Sequence, residues 1–316
     1  MSNPQGSARL RGVLAPVVTP FDADRSPDAA RMTSHCRWLL DQGVGLAVFG
    51  TNSEANSMSV AEKLALLDAL VDAGLPPARM MPGTGCCAFT DSVALTRHAV
   101  RLGCAGVLML PPFYYKAVPD EGLFRNYAEV IERVGDERLR IYLYHIPPVS
   151  QIPISLALIE RLLEAYPRAI AGIKDSSGDW NNTRAMLERF QPRGFDVFAG
   201  SETFLLATLR GGGAGCITAT GNVNPGPIAR LAEGWKGTDA DARQAALDRV
   251  RAAFQNFPMI PALKRAIAHY SGDPGWVTVR PPLVELSEAQ AGQLMQALGA
   301  AGHSMPGLNG ASRNLP

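Results

Sequence analysis

Short apolar runs alternate with segments of helical periodicity through most of this 316-residue chain. Each run is of strand length, and in the segment after it apolar residues recur every three or four positions. Eight such pairs predict an α/β fold, a (β/α)8 TIM barrel. An open doubly wound sheet competes, but it usually has a glycine-rich turn after its first strand, where this chain has Thr19-Pro20-Phe21-Asp22. The predicted strands are residues 13–21, 45–50, 79–85, 105–111, 140–146, 170–174, 195–199 and 214–218.

The pattern changes after about residue 235, where the predicted strands stop. Residues 238–257, 261–271 and 287–298 have helical periodicity, so we predict a C-terminal helical extension. The last residues are rich in Gly, Asn, Ser and Pro, which is typical of a flexible tail. The predicted organisation is therefore a barrel over residues 1–235, a helical extension over 236–301 and a tail over 302–316.

Composition and charge argue against several classes of function. The net charge is +1 with both signs mixed, which gives no electrostatic footprint for nucleic acid or an anionic membrane surface. The apolar runs are too short to cross a bilayer, and residues 1–12 lack the apolar core of a signal peptide. The five cysteines have no paired metal-ligand spacing. We therefore expect a cytoplasmic protein with reduced cysteines and no nucleic-acid or membrane partner.

A single lysine, Lys174, ends the sixth predicted strand, and a polar turn follows it. A barrel of this type places its chemistry at the carboxyl ends of its strands. Burial among apolar neighbours disfavours an ammonium ion, and a neutral amine attacks ketones. On position alone, a lysine that snorkels from the strand end or pairs with Asp175 is an equally good interpretation.

Tyr144 precedes Lys174 by one strand–helix repeat, so we expect the two residues on neighbouring strands about 5 Å apart. A phenol beside an amine can shuttle protons while a carbinolamine forms and breaks. Thr51, after the second predicted strand, could hydrogen-bond that phenol and pass the proton on. A tyrosine that only fills the barrel is the alternative, but the pairing with Lys174 favours catalysis.

Other residues at the predicted strand ends complete a candidate site of hydroxyls and amides, with little acid near the lysine. No histidine pair has HxH or HExxH spacing, so no metal site is predicted and a metal-dependent aldolase is not indicated. The Gly-x-Ser-x-Gly elbow of a serine hydrolase is also absent from the sequence. The strand-end candidates are Thr19, Thr51, Asn52, Ser53, Glu54, Gly83, Thr84, Gly85, Phe113, Tyr114, Tyr115, Tyr144, Lys174, Ser176, Gly200, Ser201, Ile217 and Thr218.

Four motifs match those of one enzyme family in order and spacing. They are Gly50-Thr51-Asn52-Ser53-Glu54, Tyr144-His145-Ile146-Pro147, Gly172-Ile173-Lys174-Asp175 and Gly215-Cys216-Ile217. By these motifs the chain resembles the dihydrodipicolinate synthase / N-acetylneuraminate lyase family of class I aldolases, over roughly residues 13–298. The resemblance implies that Lys174 forms a Schiff base with pyruvate or another 2-oxo acid, and that Tyr144 is the general acid/base.

The same resemblance implies further roles. Thr51 would be the relay hydroxyl, and Asn52 would bind the carboxylate of the 2-oxo acid. Ile217 would contact the bound keto acid through its backbone, and Tyr114 would insert across a tight-dimer interface. Members of the family form the imine on lysine without a cofactor and are commonly tetrameric, so we expect no cofactor and a homotetramer.

Departures from the family pattern bear on the substrate. Dihydrodipicolinate synthases carry an arginine two residues past the proline of the tyrosine motif, where it holds the carboxylate of aspartate semialdehyde. Val149 occupies that place, and a valine cannot bind a carboxylate, which argues against lysine biosynthesis. Ser53 stands where the family usually has glycine, so we expect an altered turn. With Asn52 and the run Lys174-Asp175-Ser176, the chain is more similar to 4-hydroxy-2-oxoglutarate aldolases and related sugar-acid enzymes. That similarity implies that Ser176 could contact a hydroxyl or carboxylate of the substrate.

The predicted function is a Schiff-base-forming lyase of the class I aldolase type that acts on pyruvate or another 2-oxo acid. The expected reaction is aldol cleavage or condensation of the 4-hydroxy-2-oxoglutarate or 2-keto-3-deoxy sugar-acid type. The alternatives are a dihydrodipicolinate synthase (4-hydroxy-tetrahydrodipicolinate synthase), a neuraminate lyase and a 2-keto-3-deoxy sugar-acid dehydratase. A non-catalytic binding barrel is a remote alternative, because such a protein need not keep Lys174 and Tyr144 together.

Overall fold

A computed structural model describes residues 9–308. In this range strands and helices alternate, and every strand pairs in parallel with a neighbour, so the predicted α/β class is confirmed. The strands are β1 (Gly12–Ala15), β2 (Gly45–Leu46), β3 (Val107–Met109), β4 (Ile141–His145), β5 (Ile170–Asp175), β6 (Asp196–Ala199) and β7 (Gly215–Ile217). The helices are α1 (Ala29–Asp41), α2 (Val60–Asp72), α3 (Phe89–Arg101), α4 (Asp120–Val134), α5 (Pro147–Ser150), α6 (Leu156–Ala165), α7 (Trp180–Phe190), α8 (Leu205–Arg210), α9 (Pro225–Glu233), α10 (Ala240–Gln255), α11 (Met259–Ser271) and α12 (Glu288–Ala300).

The chain divides into two compact units. Unit 1 comprises residues 9–11 and 76–216 of the described chain, with β3 to β6, the first two residues of β7, and α3 to α8. Unit 2 comprises residues 12–75 and 217–308, with β1, β2, the last residue of β7, and the remaining helices. The predicted domain boundary near residue 235 does not coincide with this division and stays a prediction.

Unit 1 is built around five neighbouring parallel strands in the order β3-β4-β5-β6-β7. All residues of β4 and β5 are buried, as expected for strands covered on both faces. The register places Tyr144 opposite Lys174 and His145 opposite Asp175. The carboxyl ends of β4 and β5 therefore meet at one edge of the sheet in unit 1.

The predicted strand at residues 79–85 lies beside β3 but is not a regular strand. The Thr84 N–H donates to the Leu108 carbonyl at 2.8 Å, and the Leu108 N–H donates to the Pro82 carbonyl at 2.9 Å. Pro82 has no N–H, so the ladder is reduced to a bridge between Gly83 and Leu108. The sequence therefore predicted the position of this segment correctly and its regularity wrongly.

Unit 2 contains β1 paired with β2, and the Thr218 N–H donates to the Leu14 carbonyl at 3.2 Å. The first predicted strand, residues 13–21, is much shorter in the structure because Pro16 interrupts it. The Val18 N–H instead donates to the Asn222 side chain at 3.0 Å. Helices α10, α11 and α12 fall where helical segments were predicted, and they contact one another.

Part of the predicted flexible tail, residues 302–308, packs within unit 2. Met305 and Leu308 are buried, and the Trp38 indole N–H donates to the Pro306 carbonyl at 3.0 Å. The polar composition of residues 302–316 gave no sign of these apolar contacts, and the flexibility of the tail stays a prediction. The rest of the predicted tail lies outside the described residues. Within residues 9–308 no helix has both the length and the hydropathy needed to cross a bilayer.

Candidate active site

Lys174 and Tyr144 lie side by side at the carboxyl ends of β5 and β4, as the strand repeat predicts. The Lys174 Nζ is 4.2 Å from the centre of the Tyr144 ring. Each residue is only 3% exposed, so water does not screen the interaction. The electron-rich face of a phenol stabilises a nearby cation by about 1–2 kcal/mol in such a desolvated place. The ring can therefore stabilise an ammonium ion or, equally, a protonated imine formed at the same nitrogen.

Asp175 does not serve as the partner of Lys174. Successive residues of a strand point to opposite faces, so the Asp175 side chain leaves the sheet on the side away from Lys174. Its carboxylate accepts hydrogen bonds from the Thr183 hydroxyl at 2.6 Å, the Asn182 amide at 3.1 Å and the Ser177 N–H at 3.0 Å. Asp175 therefore fixes the loop after β5 to the first turn of α7, and the ion pair considered in the sequence analysis does not form.

His145 lies next to Asp175 on the same outer face. Its Nδ1 accepts the Ile154 N–H at 3.0 Å, and its Nε2 is 4.0 Å from an Asp175 carboxylate oxygen. Burial lowers the pKa of His145, and the Asp175 carboxylate opposes this shift. The neutral ring with a proton on Nε2 satisfies both contacts, so His145 supports the loop and does not face Lys174.

Tyr142, two residues before Tyr144 on β4, and Phe198, opposite Lys174 on β6, form a buried aromatic pair next to the site. Phe198 pairs with Lys174 in the β5–β6 register, and its ring meets the Tyr142 ring edge-on at 5.8 Å. The Tyr142 hydroxyl donates to Asp196 at 3.2 Å. A Cβ at Gly172 would lie 2.8 Å from the Tyr142 ring and 2.3 Å from the Asp196 carbonyl, so only glycine fits there. This close packing provides a rigid, water-free support next to the lysine.

Ser176 and Gly200 lie next to each other at the ends of β5 and β6. The Ser176 N–H donates to the His145 carbonyl at 2.7 Å, and the Gly200 N–H donates to the Asp175 carbonyl at 2.7 Å. A Cβ at position 200 would lie 2.1 Å from the Ser176 Oγ. Glycine at position 200 therefore makes room for the Ser176 hydroxyl, and both residues are partly exposed.

Tyr114 lies on an exposed loop after β3 and is 74% exposed. It packs edge-on against Tyr115 with ring centres 5.3 Å apart. Lys116 ties this loop to α5, since its Nζ donates to the Ser150 carbonyl at 2.9 Å. Val149, in the same short helix, is 62% exposed. The predicted place of Tyr114 in a dimer interface stays a prediction.

Thr51 and Asn52 belong to unit 2, where they begin a turn after β2. The Gly50 N–H donates to the Ser53 hydroxyl at 3.1 Å, and the Thr19 hydroxyl donates to the Ser53 carbonyl at 2.7 Å. The Ser53 side chain therefore closes this turn, and the expectation that the turn departs from that of the family stays a prediction. The left-handed residue here is Glu54, with a φ of 56°.

Ile217, the last residue of β7, is fully buried in unit 2. Unit 1 thus brings together Lys174, Tyr144, Ser176 and Gly200, while unit 2 holds Thr51, Asn52 and Ile217. Across residues 9–308 no three His, Cys, Asp or Glu side chains cluster closely enough to hold a metal ion.

The sequence analysis missed the buried Lys264 in α11, which pairs with Glu54. A signal was available, because Lys264 stands three residues after Pro261 and three before Ile267, on the apolar face of its helix. A lysine in such a position must find a carboxylate or leave the core. Burial lowers the pKa of Lys264, and Glu54 opposes that shift.

Arg280, which follows α11, forms an ion pair with Glu62 in the first turn of α2. Its two guanidinium N–H groups donate to the two carboxylate oxygens at 2.5 and 3.1 Å. This pairing is the main cause that lowers the pKa of Glu62 from its ordinary value to about 2. A carboxyl whose pKa is lower in the folded state contributes stability above the ordinary pKa and loses it as the pH falls toward the folded value. The contribution of Glu62 should therefore disappear between about pH 4.5 and pH 2.

Glu62→Gln is expected to lower the free energy of unfolding at pH 7 by about 1–2 kcal/mol, because the side chain is partly exposed and solvent screens the pair. Glutamine keeps the capping box with Ser59, so the charge alone is removed. Urea unfolding at pH 7, 5 and 3 measures the difference, which should shrink at pH 3. Glu164→Gln, at an exposed carboxylate of α6, is the control and should change the free energy of unfolding little at any pH. A Glu62→Gln difference independent of pH would contradict the assignment.

The structure is an α/β fold in which a buried lysine and a buried tyrosine lie paired at the ends of adjacent strands. Both residues belong to the four motifs on which the family resemblance rests. The chain belongs to the dihydrodipicolinate synthetase family, whose family model matches residues 9–301. A relative from Chloroflexus aurantiacus, an uncharacterized DapA-like lyase, is 33% identical over 92% of this chain and 96% of its own length.

Two solved structures share the fold over most of the chain. Dihydrodipicolinate synthase from Agrobacterium tumefaciens is 30% identical, with a TM-score of 0.85 over 92% of this chain and 99% of its own. A prophage protein of the dihydrodipicolinic acid synthase family from E. coli K12, solved in complex with pyruvate, is 27% identical. Its TM-score is 0.85 over 94% of this chain and 100% of its own.

Proposed function

We propose that this protein is a lyase that forms a Schiff base between Lys174 and a 2-oxo acid. The observation that carries the proposal is the buried pair of Lys174 and Tyr144, in register on β5 and β4 with the amine over the phenol ring. The hydrogen-bond partners of Asp175 leave its carboxylate on the other face of β5. Among the described residues no carboxylate forms an ion pair with Lys174, and a lysine beside a phenol suits imine chemistry.

The reaction begins when the Lys174 amine attacks the C2 ketone of the 2-oxo acid. The carbinolamine loses its hydroxyl as water after protonation, which leaves a protonated imine. This cation draws the electron pair of the C3–C4 bond as that bond breaks, while the C4 hydroxyl loses its proton and an aldehyde departs. The resulting enamine is protonated at C3, and water releases pyruvate and the free lysine.

Tyr144 is the group we assign to the proton transfers at the imine. Its ring lies against the Lys174 nitrogen, so its hydroxyl belongs to the same buried strand end. A phenol in this position can protonate the departing hydroxyl and take a proton from the attacking water. We assign the relay hydroxyl to Thr51, the carboxylate ligand to Asn52 and a backbone contact to Ile217 from the family resemblance.

The substrate beyond its pyruvate part is proposed as a 4-hydroxy-2-oxoglutarate or a 2-keto-3-deoxy sugar acid. Val149, exposed in α5, cannot bind the second carboxylate that a dihydrodipicolinate synthase must hold. Ser176, with room made by Gly200, offers a hydroxyl to a polar substrate. Elimination of a C4 hydroxyl from the same imine would make the enzyme a dehydratase, and the synthase is the other alternative.

The remaining expectations belong to the same proposal. We propose that the strands close into a (β/α)8 barrel with a C-terminal helical extension, and that the enzyme is a cytoplasmic homotetramer. The Tyr114–Tyr115 pair, exposed on its loop, supports association between copies. The lysine imine supplies the electron sink, so no cofactor is required.

Borohydride added together with pyruvate is expected to inactivate the enzyme and leave a stable adduct on Lys174. Borohydride delivers hydride to the imine carbon, so the reversible C=N bond becomes a secondary amine. Peptide mass spectrometry after proteolysis locates the label. An unlabelled Lys174, or equal labelling at exposed Lys236, would exclude the mechanism.

Assays of pyruvate release from 4-hydroxy-2-oxoglutarate, 2-keto-3-deoxy sugar acids and sialic acid then separate the aldolase alternatives. Condensation of pyruvate with aspartate semialdehyde tests the synthase. Formation of a 2-oxo acid that keeps all carbon atoms identifies a dehydratase.

A further inference from the structure

Glu54 and Lys264 form an ion pair whose two side chains are fully buried in unit 2. The Lys264 Nζ donates to Glu54 Oε1 and to the Thr278 carbonyl, the latter at 2.7 Å. The second oxygen of Glu54 accepts the Arg280 N–H at 2.8 Å. Both charged groups are thus satisfied, although removal of two charges from water is costly. A buried ion pair is weak evidence for stability, so its presence suggests that it fixes one conformation.

The conformation that Glu54 fixes is the turn that carries Thr51 and Asn52. Glu54 follows this turn directly, and its φ of 56° lies in the left-handed region, which a glutamate seldom adopts. A residue in that region persists only when its surroundings hold it, and here both carboxylate oxygens do so. The Ser53 side chain holds the turn from its other end through the Gly50 N–H.

The same cluster reaches the segment that follows β1. The Lys264 Nζ lies 4.4 Å, and the Arg280 guanidinium carbon 4.7 Å, from the centre of the Phe21 ring. Phe21 follows Thr19, whose hydroxyl donates to the Ser53 carbonyl. The segment after β1, the turn after β2 and the segment from α11 to Arg280 are therefore held together through a few buried contacts.

We propose that Glu54 and Lys264 are positioning residues that set the Thr51–Asn52 turn for the carboxylate of the 2-oxo acid. The proposal rests on the proposed function, which gives Asn52 that ligand. Lys264 does not touch the substrate in this account. It acts through Glu54 and the backbone of the turn, and so links α11 to the affinity for the keto acid.

Three variants test the proposal: Glu54→Gln, Lys264→Met and the double variant. The measured quantities are the pyruvate concentration that gives half-maximal borohydride trapping and the maximal trapping rate. Displacement of the turn should raise the half-saturating concentration roughly ten- to a hundredfold in the double variant, with the maximal rate changed much less, since Lys174 itself is unaltered. Lys264→Met alone leaves a buried unpaired carboxylate, so we expect it to fold poorly.

Two controls separate positioning from general stability. Arg265→Gln alters the next residue of α11, which is more exposed and pairs with Glu288, and should change neither quantity. Leu298→Ala opens a cavity at a buried side chain of α12 and should lower the melting temperature while the half-saturating concentration stays at the wild-type value. A merely structural role for the pair predicts that the double variant behaves like Leu298→Ala.

The outcomes are distinct. Wild-type half-saturation in a folded double variant would overturn the inference and leave the proposed function intact. If the double variant does not fold, Glu54→Gln decides, because it keeps the shape of the side chain while placing an amide nitrogen against one of two donors. An unchanged half-saturating concentration in Glu54→Gln would then overturn the inference. Failure of pyruvate to label wild-type Lys174 would overturn the proposed function and this inference with it.

Discussion

Lys174→Ala is expected to abolish turnover, with a loss on the order of 10⁶-fold, the scale seen when a covalent nucleophile is removed. Without the amine no imine forms, so the C3–C4 electron pair has no acceptor. Lys174→Arg should be as inactive, because a guanidinium keeps the positive charge but is not a nucleophile at neutral pH. Steady-state release of pyruvate from the best substrate of the panel measures the loss.

The Lys174 variants need a control for folding and for other lysines. Lys236→Ala, at an exposed lysine beside Trp235, should retain wild-type turnover. Thermal unfolding of Lys174→Ala should remain cooperative, since Tyr142 and Phe198 next to the site keep their contact with each other. Residual turnover above about one per cent in a folded Lys174→Ala protein would contradict Schiff-base catalysis.

Lys174 and Lys264 are both buried, and together they show why burial alone does not identify a reactive amine. Lys264 donates to a carboxylate and a carbonyl. These two acceptors favour the ammonium form, which has no lone pair and cannot act as a nucleophile. Lys174 lies over an aromatic ring, and the carboxylate of Asp175 is engaged by α7. Surroundings rather than burial thus favour Lys174 as the nucleophile.

Local pattern predicted most of the fold. Seven of the eight apolar runs contain a strand, because buried parallel strands require continuous apolar sequence. The eighth run, residues 79–85, fails as a regular strand at Pro82, and the first run is cut short at Pro16. Both prolines were visible in the sequence, and the missing N–H of each gives the physical reason.

The strand repeat also predicted the adjacency of Lys174 and Tyr144, since residues at matched positions of neighbouring strands must meet. The Glu54–Lys264 contact was beyond this reasoning because 210 positions separate the two residues. No periodicity connects such distant segments. Burial of Lys264 could be inferred from its helix face, but the identity of its carboxylate partner required the structure.

Tyr144→Phe is expected to slow turnover by roughly a hundredfold or more, the range for loss of a general acid/base. The phenyl ring preserves the contact with the Lys174 nitrogen, so the variant removes the hydroxyl while the ring remains in place. Imine formation and hydrolysis should both slow, and borohydride trapping of Lys174 with pyruvate should become slow but still reach completion. Stopped-flow trapping and steady-state turnover measure these two effects.

Tyr142→Phe is the matched control, since it removes a phenol hydroxyl two residues away on the same face of β4. That hydroxyl donates to Asp196, so its loss should lower the free energy of unfolding by about 1.5–3 kcal/mol and leave turnover near the wild-type value. The two variants of β4 thus separate an effect on proton transfer, expected for Tyr144→Phe, from an effect on stability, expected for Tyr142→Phe. Equal turnover in Tyr144→Phe and Tyr142→Phe would mean that Tyr144 only fills space, and the acid/base role would pass to another group.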